Sequence, residues 1–406
     1  MIALETALLE GLGQLDARAE RCTGVQVDSR RIVPGDLFVA IGRGTEFRAD
    51  ALARGAAATL VPDDPFAALA FIGGAVRDRS SARVVGITGS MGKTSTKDIL
   101  AALCAPAART IAAEASYNNE IGVPLTLCRL EDDSEVCILE LAMRGFGQIA
   151  ALCEAARPEI GVITNVGPVH LELVGSVDGV RRAKGELIDA LPAGGTAVVP
   201  PDFPVERTDI EIVHVPEPKT EAEGARMTVD GVSFNFTARH QALNAATALA
   251  ALDVLGLPWP AAVDVGFSRW RGDEEELPGG GLLINDAYNA NPVSMRAALA
   301  HLAERAGERR RVAILGDMAE LGPAAPDYHR DVARAAAELG VDMLLAVGEL
   351  ARGYLEAGVP GRWARTVDEA IEAIDDVVRP GDAVLVKASR AVGLEAIAAA
   401  LTHVTA

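Results

Sequence analysis

Residues 83–103 read RVVGITGSMGKTSTKDILAAL, and this stretch decides the fold. The apolar run Arg83–Ile87 predicts a buried strand, and Thr94–Leu103 has the pattern of a helix. The glycine-rich turn between them would point backbone N–H groups and the N-terminus of the helix at a phosphate group. The stretch therefore predicts a phosphate-binding loop. It is a variant, because the strict P-loop spacing requires glycine at position 87, where this chain has isoleucine.

The side chains of this loop have the chemistry that a nucleotide requires. We expect Lys93 to reach the outer phosphates and the hydroxyl of Thr94 to ligate Mg²⁺. We expect Lys97, one turn further along, to lie on a solvated helix face. The residues of the loop that we predict to bind ATP are Gly89, Ser90, Met91, Gly92, Lys93, Thr94 and Ser95.

The 406 residues are enough for two to four domains at roughly 100–200 residues each. Continuous apolar runs after the loop alternate with helical patterns, which is typical of a parallel sheet covered on both faces. A second series of strands follows residue 271, at Leu282–Asn285, Val312–Leu315, Met343–Val347 and Ala383–Val386. We predict an α/β chain with three domains: a small α/β domain (1–80), a central P-loop domain with a doubly wound, mostly parallel sheet (81–271), and a Rossmann-like C-terminal domain (272–406).

The composition excludes some classes of function. The net charge of −19 arises from 57 acidic and 38 basic residues, whereas a general nucleic-acid coat or a binder of anionic membranes needs a basic surface. The N-terminal stretch MIALETALLEGLGQL lacks the basic region of a signal peptide, and no apolar stretch is long enough to span a membrane. We expect a cytoplasmic protein whose five cysteines are buried, reduced thiols.

Three residues outside the loop are candidates for the same chemistry. Glu140 ends the apolar run Val136–Leu139, where a carboxylate could hold Mg²⁺. His170 follows another strand and turn, and Lys184 lies on a predicted helix. Taken singly, a structural histidine and a solvated lysine are the default interpretations of these two residues. The chain has no NKxD segment of the kind that specifies guanine in a GTPase, so an ATP-driven enzyme is favoured.

Together these motifs resemble the Mur ligase superfamily, the ATP-dependent amide-forming ligases of peptidoglycan precursor synthesis. The resemblance covers essentially the whole chain. Its most specific segments in the predicted C-terminal domain are DAYNANP (286–292) and LGDMAELG (315–322), which are similar to those of the branch that adds D-alanyl-D-alanine to UDP-N-acetylmuramoyl-tripeptide. The other segments that carry it are DSR (28–30), PGDLFVA (34–40), the phosphate loop, NNEIGVPLTL (118–127), TNVG (164–167), HLE (170–172) and Ala183-Lys184.

The resemblance implies a reaction and assigns residues to it. The acceptor carboxylate would attack the γ-phosphate of ATP to give an acyl phosphate, and the dipeptide amine would then displace phosphate. Lys93, His170 and Lys184 would be catalytic. Thr94 and Glu140 would hold one Mg²⁺ and His170 a second, with Lys184 as a further oxygen ligand if it is carbamylated.

The remaining assignments also come from the resemblance. Asn119, Asn244, Arg271 and Asp286 would complete the ATP site, the last two being brought to it when the C-terminal domain closes. Turn formation and helix capping are equally good explanations for Asn289 and Asn291. The residues assigned to UDP-muramoyl-peptide or D-Ala-D-Ala are Ser29, Arg30, Asn118, Asn289, Asn291, Lys387 and Ser389.

Two other functions remain open at this point. The chain could be a sibling ligase that adds a different amino acid, including a folylpolyglutamate synthase-like enzyme. It could also be a non-catalytic nucleotide-binding regulatory module. As partners we expect only the small-molecule substrates, no nucleic acid and no membrane, and we expect a monomer.

Overall fold

The computed structural model describes residues 1–403, and the contacts among them form two compact units. The first unit contains Met1–Asn165, Arg181–Thr237 and Gln241–Gly266, and the second contains the remaining described residues. No helix within residues 1–403 is both long and apolar enough to cross a membrane.

The N-terminal part of the first unit is a small mixed α/β layer. Strands β2, β4, β5 and β6 form a four-stranded sheet in the order β2-β6-β5-β4, and β1 pairs antiparallel with β3. Phe38 and Ala51 lie in the core between the sheet and the helix. The elements are β1 Leu4–Glu5, β2 Gly13–Ala17, β3 Arg21–Cys22, β4 Gly24–Gln26, β5 Asp36–Val39, α1 Arg48–Ala53 and β6 Ala58–Pro62.

The central part of the first unit is built on a six-stranded sheet in which every strand pair is parallel, in the order β12-β11-β10-β7-β9-β8. Helix α6 belongs by its contacts to the second unit. The elements are α2 Pro65–Arg77, β7 Arg83–Thr88, α3 Lys93–Cys104, β8 Thr110–Ala112, α4 Gly122–Leu127, β9 Val136–Glu140, α5 Gln148–Ala156, β10 Ile160–Ile163, α6 Leu171–Val174, α7 Val177–Asp189, β11 Thr196–Val199, β12 Glu211–His214, β13 Thr220–Glu223, β14 Arg226–Val229, β15 Val232–Phe234, α8 Arg239–Leu255 and β16 Ala262–Val263.

The strand that leads into the phosphate loop, β7, lies between β9 and β10 in the middle of this sheet. Every residue of β9 and β10 is buried, which explains why these strands are continuous apolar runs rather than alternating patterns. The predicted central parallel sheet is confirmed. Strands β13 to β16 form a separate four-stranded sheet beside it in the chain.

Helix α2 connects the N-terminal layer to the central sheet. The carboxylate of Asp64 accepts hydrogen bonds from the backbone N–H groups of Phe66 and Ala67, and Pro65 occupies the first helical turn. The helix packs against α4 and α5, and a Cβ at Gly73 would lie only 2.9 Å from the backbone of Pro124. Its last residue, Arg77, forms an ion pair with Glu159 at 2.8 Å.

The second unit is a Rossmann-like sheet in the order β17-β18-β22-β19-β20-β21, parallel except for β17. Apolar clusters cover both faces, one under α9 and α10 and the other under α11 and α13. Besides α6, the elements are β17 Asp273–Leu277, β18 Gly281–Asn285, α9 Pro292–Ala306, β19 Arg311–Gly316, α10 Ala325–Glu338, β20 Met343–Val347, β21 Gly361–Ala364, α11 Val367–Glu372, α12 Ile374–Val377, β22 Ala383–Lys387 and α13 Glu395–His403.

Short 3₁₀ turns join several elements, at Thr6–Leu9, Ser29–Arg31, Gly42–Phe47, Pro278–Gly280, Gly322–Ala324, Leu350–Ala357 and Arg390–Val392. All five cysteines are buried and unbridged, as expected from the sequence. Burial raises the pKa of the Cys128 and Cys137 thiols to about 12, so these groups are packing residues rather than nucleophiles.

Candidate active site

The phosphate loop follows β7, and its shape depends on two glycines. Gly89 has φ +156° and Gly92 has φ +73°. A Cβ at Gly89 would lie 1.8 Å from Oγ1 of Thr164, and one at Gly92 would lie 2.1 Å from Oδ1 of Asn244. Both positions therefore need glycine for space as well as for backbone conformation. Helix α3 begins directly after Gly92, so its N-terminal N–H groups face the region where the loop turns.

Three polar side chains meet at the carboxyl edge of the central sheet. The hydroxyl of Thr94 donates to Oε2 of Glu140 at 2.8 Å, and the side-chain amide of Asn118 donates to Oε1 of the same carboxylate at 2.8 Å. Lys93 folds back over the loop, and its Nζ donates to the carbonyl of Gly89 at 2.7 Å. The structure thus brings Lys93, Thr94, Asn118 and Glu140 into one cluster.

The donor atoms in this cluster fit a magnesium ion. A hydroxyl and a carboxylate are hard oxygen ligands, and Mg²⁺ in phosphoryl-transfer sites takes one or two such ligands together with substrate phosphates. Among residues 1–403, no group of three or more His, Cys, Asp or Glu side chains is arranged to hold a metal without other ligands. A metal at Thr94 and Glu140 would therefore depend on the nucleotide for its remaining ligands.

The loop is held in place by Thr164 and Asn165, to which the sequence analysis assigned no site role. The side-chain amide of Asn165 accepts from the N–H of Met91 at 2.9 Å and donates to its carbonyl at 3.1 Å. The hydroxyl of Thr164 donates to the same carbonyl, and Ser90 N–H donates to the carbonyl of Asn165. These two residues directly follow β10, which lies next to β7 in the sheet. Polar residues at the end of the strand beside the phosphate loop are the signal that would have identified them.

Asn244, assigned to ATP by the resemblance, lies against the junction of the loop and α3. Its Nδ2 donates to Oε1 of Gln241 at 2.8 Å, and the amide of Gln241 donates to the hydroxyl of Ser95 at 3.4 Å. All three residues are buried. In this structure Asn244 and Gln241 support the first turn of α3 from behind Gly92.

Lys184 is a buried lysine on α7, with only 2% of its surface exposed. Burial, and secondarily the charge of Lys93, lowers the pKa of Lys184 well below its usual value. A neutral amine is the form that a buried lysine adopts when no carboxylate neutralises it.

The prediction that Lys97 lies on a solvated helix face is wrong. Only 2% of this residue is exposed, and its Nζ donates to the carbonyl oxygens of Ala113 at 2.7 Å and Ala115 at 2.9 Å. The adjacent Asp98 carboxylate lies 2.7 Å away. The ammonium is tolerated inside because these oxygens replace its water, and Lys97 ties α3 to the segment after β8.

Asn119, predicted to bind ATP, and Ser29 and Arg30, predicted to bind the acceptor, have structural partners in the first unit. Asn119 accepts from the backbone N–H of Gly122 at 3.0 Å, so its side-chain oxygen helps to start α4. Ser29 is buried and hydrogen-bonds to Asp50, whereas Arg30 is exposed and paired with Asp28 at 2.7 Å. The hydrogen bond between Arg30 and Asp28 lowers the pKa of that carboxyl to about 2.

His170 lies in the second unit, in the segment that precedes α6. Its Nδ1 is hydrogen-bonded to the carboxylate of Glu320, which belongs to the loop after β19. His170 has φ +52° and Glu320 has φ +62°, left-handed conformations that are uncommon for residues with side chains. Like Thr164 and Asn165, Glu320 lies in a motif of the sequence but was not predicted as a site residue.

The other predicted residues of the second unit cluster at the carboxyl ends of β18 and β22. Lys387 is 2% exposed; its Nζ donates to the Asp286 carboxylate and, at 2.9 Å, to the carbonyl of Asn289. The hydroxyl of Ser389 accepts from Ala319 N–H at 2.8 Å. The guanidinium of Arg271 stacks 3.8 Å from the ring centre of Tyr288.

Asn291 acts as a helix cap. Its Oδ1 accepts from the N–H of Ser294 at 2.9 Å, and the Ser294 hydroxyl accepts from the N–H of Asn291 at 3.0 Å. This reciprocal arrangement is a capping box at the start of α9. Capping thus accounts for the position and burial of Asn291.

A variant phosphate loop on the central strand of a parallel sheet, a carboxylate from the next strand and a second doubly wound unit together define a phosphate-loop enzyme that acts on a nucleoside triphosphate. Family models identify which class. The model of the Mur ligase middle domain matches residues 87–252, and that of the Mur ligase glutamate ligase domain matches residues 274–390. The chain belongs to the Mur ligase family.

Individual relatives match nearly the whole chain. The UDP-N-acetylmuramoyl-tripeptide–D-alanyl-D-alanine ligase of Synechocystis sp. is 33% identical over 94% of this chain and 92% of its own length. The ligase of the same name from Mycobacterium tuberculosis is 36% identical over 95% and 93%. The structure is similar to a crystal structure of MurF from Acinetobacter baumannii, with a TM-score of 0.85, 26% identity and coverage of 98% of this chain and 99% of that one.

Proposed function

We propose that this chain is the ATP-dependent ligase that joins D-alanyl-D-alanine to UDP-N-acetylmuramoyl-tripeptide in peptidoglycan precursor synthesis. Relatives of that name at 33% and 36% identity over nearly the whole chain support the choice of substrates. The observation that carries the chemistry is the hydrogen-bonded cluster of Thr94, Glu140 and Asn118 beside Lys93.

The reaction proceeds in two steps. The acceptor carboxylate attacks the γ-phosphorus of ATP, forming an acyl phosphate and releasing ADP. The amine of D-Ala-D-Ala then attacks the acyl carbon, loses a proton and expels inorganic phosphate. Phosphoryl transfer depends on positioning and on neutralising charge rather than on covalent help from the protein.

The residues of the first unit divide this work among them. Lys93 neutralises the transferring phosphoryl group, and the N–H groups of the loop and of α3 hold the remaining phosphate oxygens. Thr94 and Glu140 hold Mg²⁺, which when bound supplies further positive charge at the phosphates. Asn118 fixes the orientation of the Glu140 carboxylate through the hydrogen bond to its Oε1.

The other predicted residues complete the proposal. Asn119 and Asn244 contribute to the nucleotide site. Ser29, Arg30 and Asn118 serve the UDP-muramoyl-peptide, and His170 contributes to a second Mg²⁺. From the second unit, Arg271 and Asp286 contribute to ATP, whereas Asn289, Asn291, Lys387 and Ser389 serve the dipeptide end.

Lys184 is carbamylated in the working enzyme. A neutral amine attacks carbon dioxide to form a carbamate and release a proton, and both the burial of Lys184 and its lowered pKa favour that neutral form. The product carries an anionic oxygen in place of an ammonium, which makes it a metal ligand. After incubation with ¹³C-bicarbonate, the native protein should give one carbamate signal by ¹³C NMR. Lys184→Ala should abolish this signal and Lys219→Ala should retain it; a signal that survives Lys184→Ala contradicts the assignment.

Phosphate release from ATP tests the function directly. Purified protein should release phosphate only when both UDP-N-acetylmuramoyl-tripeptide and D-Ala-D-Ala are present, with a pentapeptide product seen by mass spectrometry. Replacing the dipeptide by single amino acids distinguishes a sibling ligase. A protein that binds ATP but forms no amide with any of these amines would instead be a regulatory module.

A further inference from the structure

The segment that begins with His170 contacts the loop after β19 at two points. His170 and Glu320 are joined through Nδ1 and the carboxylate, although 150 residues separate them in the chain. The backbone N–H of Glu172 also donates to the carbonyl of Glu320, at 3.4 Å. The contact therefore fixes both the side chain of His170 and the direction of the chain that follows it.

Two buried residues, Ser389 and His329, hold the loop that carries Glu320. Ser389 N–H donates to the carbonyl of Asp317 at 3.0 Å. Met318 N–H donates to Nε2 of His329 at 3.0 Å, and Ala319 N–H donates to the hydroxyl of Ser389 at 2.8 Å. His329 has no exposed surface, and Ser389 is 4% exposed. Glu320 thus extends from a rigid support, which is what a residue that orients another side chain needs.

The backbone of His170 is equally well fixed. Its carbonyl accepts from the N–H groups of Leu173 at 3.0 Å and Val174 at 3.1 Å, which starts α6. His170 and Glu320 are two of only six non-glycine residues with positive φ among residues 1–403. Residues with side chains keep such conformations where the surroundings enforce them, as at functional sites.

The pairing has a defined chemical consequence for the imidazole. When a carboxylate accepts the Nδ1 proton of a neutral imidazole, the ring carries its lone pair on Nε2. Metal-binding histidines are commonly oriented in this way by a carboxylate that does not itself touch the metal. The Glu320 carboxylate thus selects both the tautomer and the direction of the ring.

We propose that Glu320 is a positioning residue: it holds His170 in the Nδ1–H tautomer, with Nε2 presented as a ligand for the second divalent cation. The role of His170 in metal binding rests on the proposed function, whereas the pairing and the tautomer do not. Glu320 itself touches neither metal nor substrate in this scheme.

The tautomer is measured on the metal-free protein. Long-range ¹H–¹⁵N correlation spectra of the ¹⁵N-labelled full chain report which ring nitrogen of each histidine carries the proton, and His170→Gln assigns the signal. In the native protein His170 should be the Nδ1–H form, and in Glu320→Ala it should shift toward the Nε2–H form. Glu338→Gln, an exposed carboxylate at the end of α10, should leave the spectrum unchanged. A His170 signal identical in the native protein and in Glu320→Ala overturns the proposal.

Metal binding gives an independent readout that does not depend on turnover. With a non-hydrolysable ATP analogue present, the dissociation constant of the second Mn²⁺ to bind, measured by electron paramagnetic resonance, should rise about 10- to 100-fold in Glu320→Ala. Glu320→Gln should restore part of the affinity, because its amide oxygen can accept the Nδ1 proton. Equal losses in the two variants would mean that Glu320 only shapes the loop. If His170 has the Nδ1–H form in the native protein and shifts in Glu320→Ala, but the native protein never ligates D-Ala-D-Ala, the proposed function is overturned and the pairing stays intact.

Discussion

The loops after β7 and after β19 follow the same kind of strand, a central strand of a doubly wound parallel sheet, yet they are built in opposite ways. The first is shaped by Gly89 and Gly92, and it is held by side chains that bind its backbone. The second places Glu320, a residue with a long polar side chain, in the left-handed region. The first loop therefore directs backbone N–H groups toward phosphates, whereas the second directs the side chain of Glu320 toward His170.

Removing the one cation of the phosphate loop should have the largest effect. Lys93→Ala should lower kcat for ligation by about 10³-fold, because a positioned charge on the transferring group is lost. Lys219→Ala, an exposed lysine beside β13, is the matched control and should change kcat less than two-fold. A decrease in kcat of less than ten-fold in Lys93→Ala would mean that the backbone N–H groups alone stabilise the transferring phosphoryl group.

Paired glycine substitutions separate the need for space from the need for a positive φ. Gly92 and Gly322 both have positive φ, but a Cβ at Gly322 would meet nothing closer than 3.5 Å, whereas at Gly92 it would lie 2.1 Å from Asn244. Gly322→Ala should cost about 1–2 kcal/mol of unfolding free energy, and Gly92→Ala about 3 kcal/mol or more. Thermal unfolding measures both.

The double variant Gly92→Ala/Asn244→Ala should regain part of the stability lost in Gly92→Ala, because it removes the clash and leaves only the backbone strain. Equal losses of unfolding free energy in Gly92→Ala and Gly322→Ala would show that lack of space at Gly92 adds nothing to the effect of its positive φ.

The Asn165 clamp can be compared with a matched clamp elsewhere in the first unit. Asn235 holds Val265 as Asn165 holds Met91, accepting from its N–H at 2.8 Å and donating to its carbonyl at 3.3 Å. Asn165→Ala should raise KM for ATP about ten-fold, equivalent to ~1.4 kcal/mol, because the loop loses its fixed shape. Asn235→Ala should lower the melting temperature and leave KM unchanged. Equal KM values in both variants would show that the clamp serves folding only.

The smallest effect concerns the edge of the second sheet and depends on pH. Burial alone would raise the pKa of Glu274, but hydrogen bonds from His301 and Arg305 outweigh it and lower the pKa to about 2 from an ordinary 4.5. The stabilisation is therefore complete above about pH 4.5 and is lost as the pH falls toward 2. Solvent screening reduces it to about 1 kcal/mol.

Glu274→Gln should consequently lower the melting temperature at pH 7 more than at pH 3, whereas Glu275→Gln, its exposed neighbour on β17, should show no such difference. A Glu274→Gln deficit that stays constant between the two pH values would show that packing, rather than charge, is lost.

Much of the fold was predictable because buried parallel strands are continuous apolar runs and glycine loops have a fixed spacing. In the second unit, β17 and β21 lack that signal and were missed; β17 is mostly acidic, and both lie at the edges of the sheet. The burial of Lys97 was missed because the carbonyls that satisfy it belong to Ala113 and Ala115, which carry no polar side chain to mark them.

Part of the site escaped the sequence analysis for a related reason. Thr94 was identified by the phosphate-loop motif and Glu140 by its place at the end of a strand, and the structure joins them by a hydrogen bond. Asn165 and Glu320 act through contacts 74 and 150 residues away in the chain, which only the sheet order and the packing of loops create. Contacts between residues so far apart in the chain leave no periodic pattern in the local sequence, so they could not be predicted from it.

An isotope transfer experiment tests the central claim most directly. The UDP-N-acetylmuramoyl-tripeptide is labelled with ¹⁸O in the carboxylate that receives the dipeptide, and the phosphate released during ligation is analysed by mass spectrometry. Attack of that carboxylate on ATP, followed by displacement by D-Ala-D-Ala, predicts one ¹⁸O atom in each phosphate. Amide formation with no ¹⁸O in the phosphate would contradict the acyl phosphate, and phosphate released without amide would contradict the ligase.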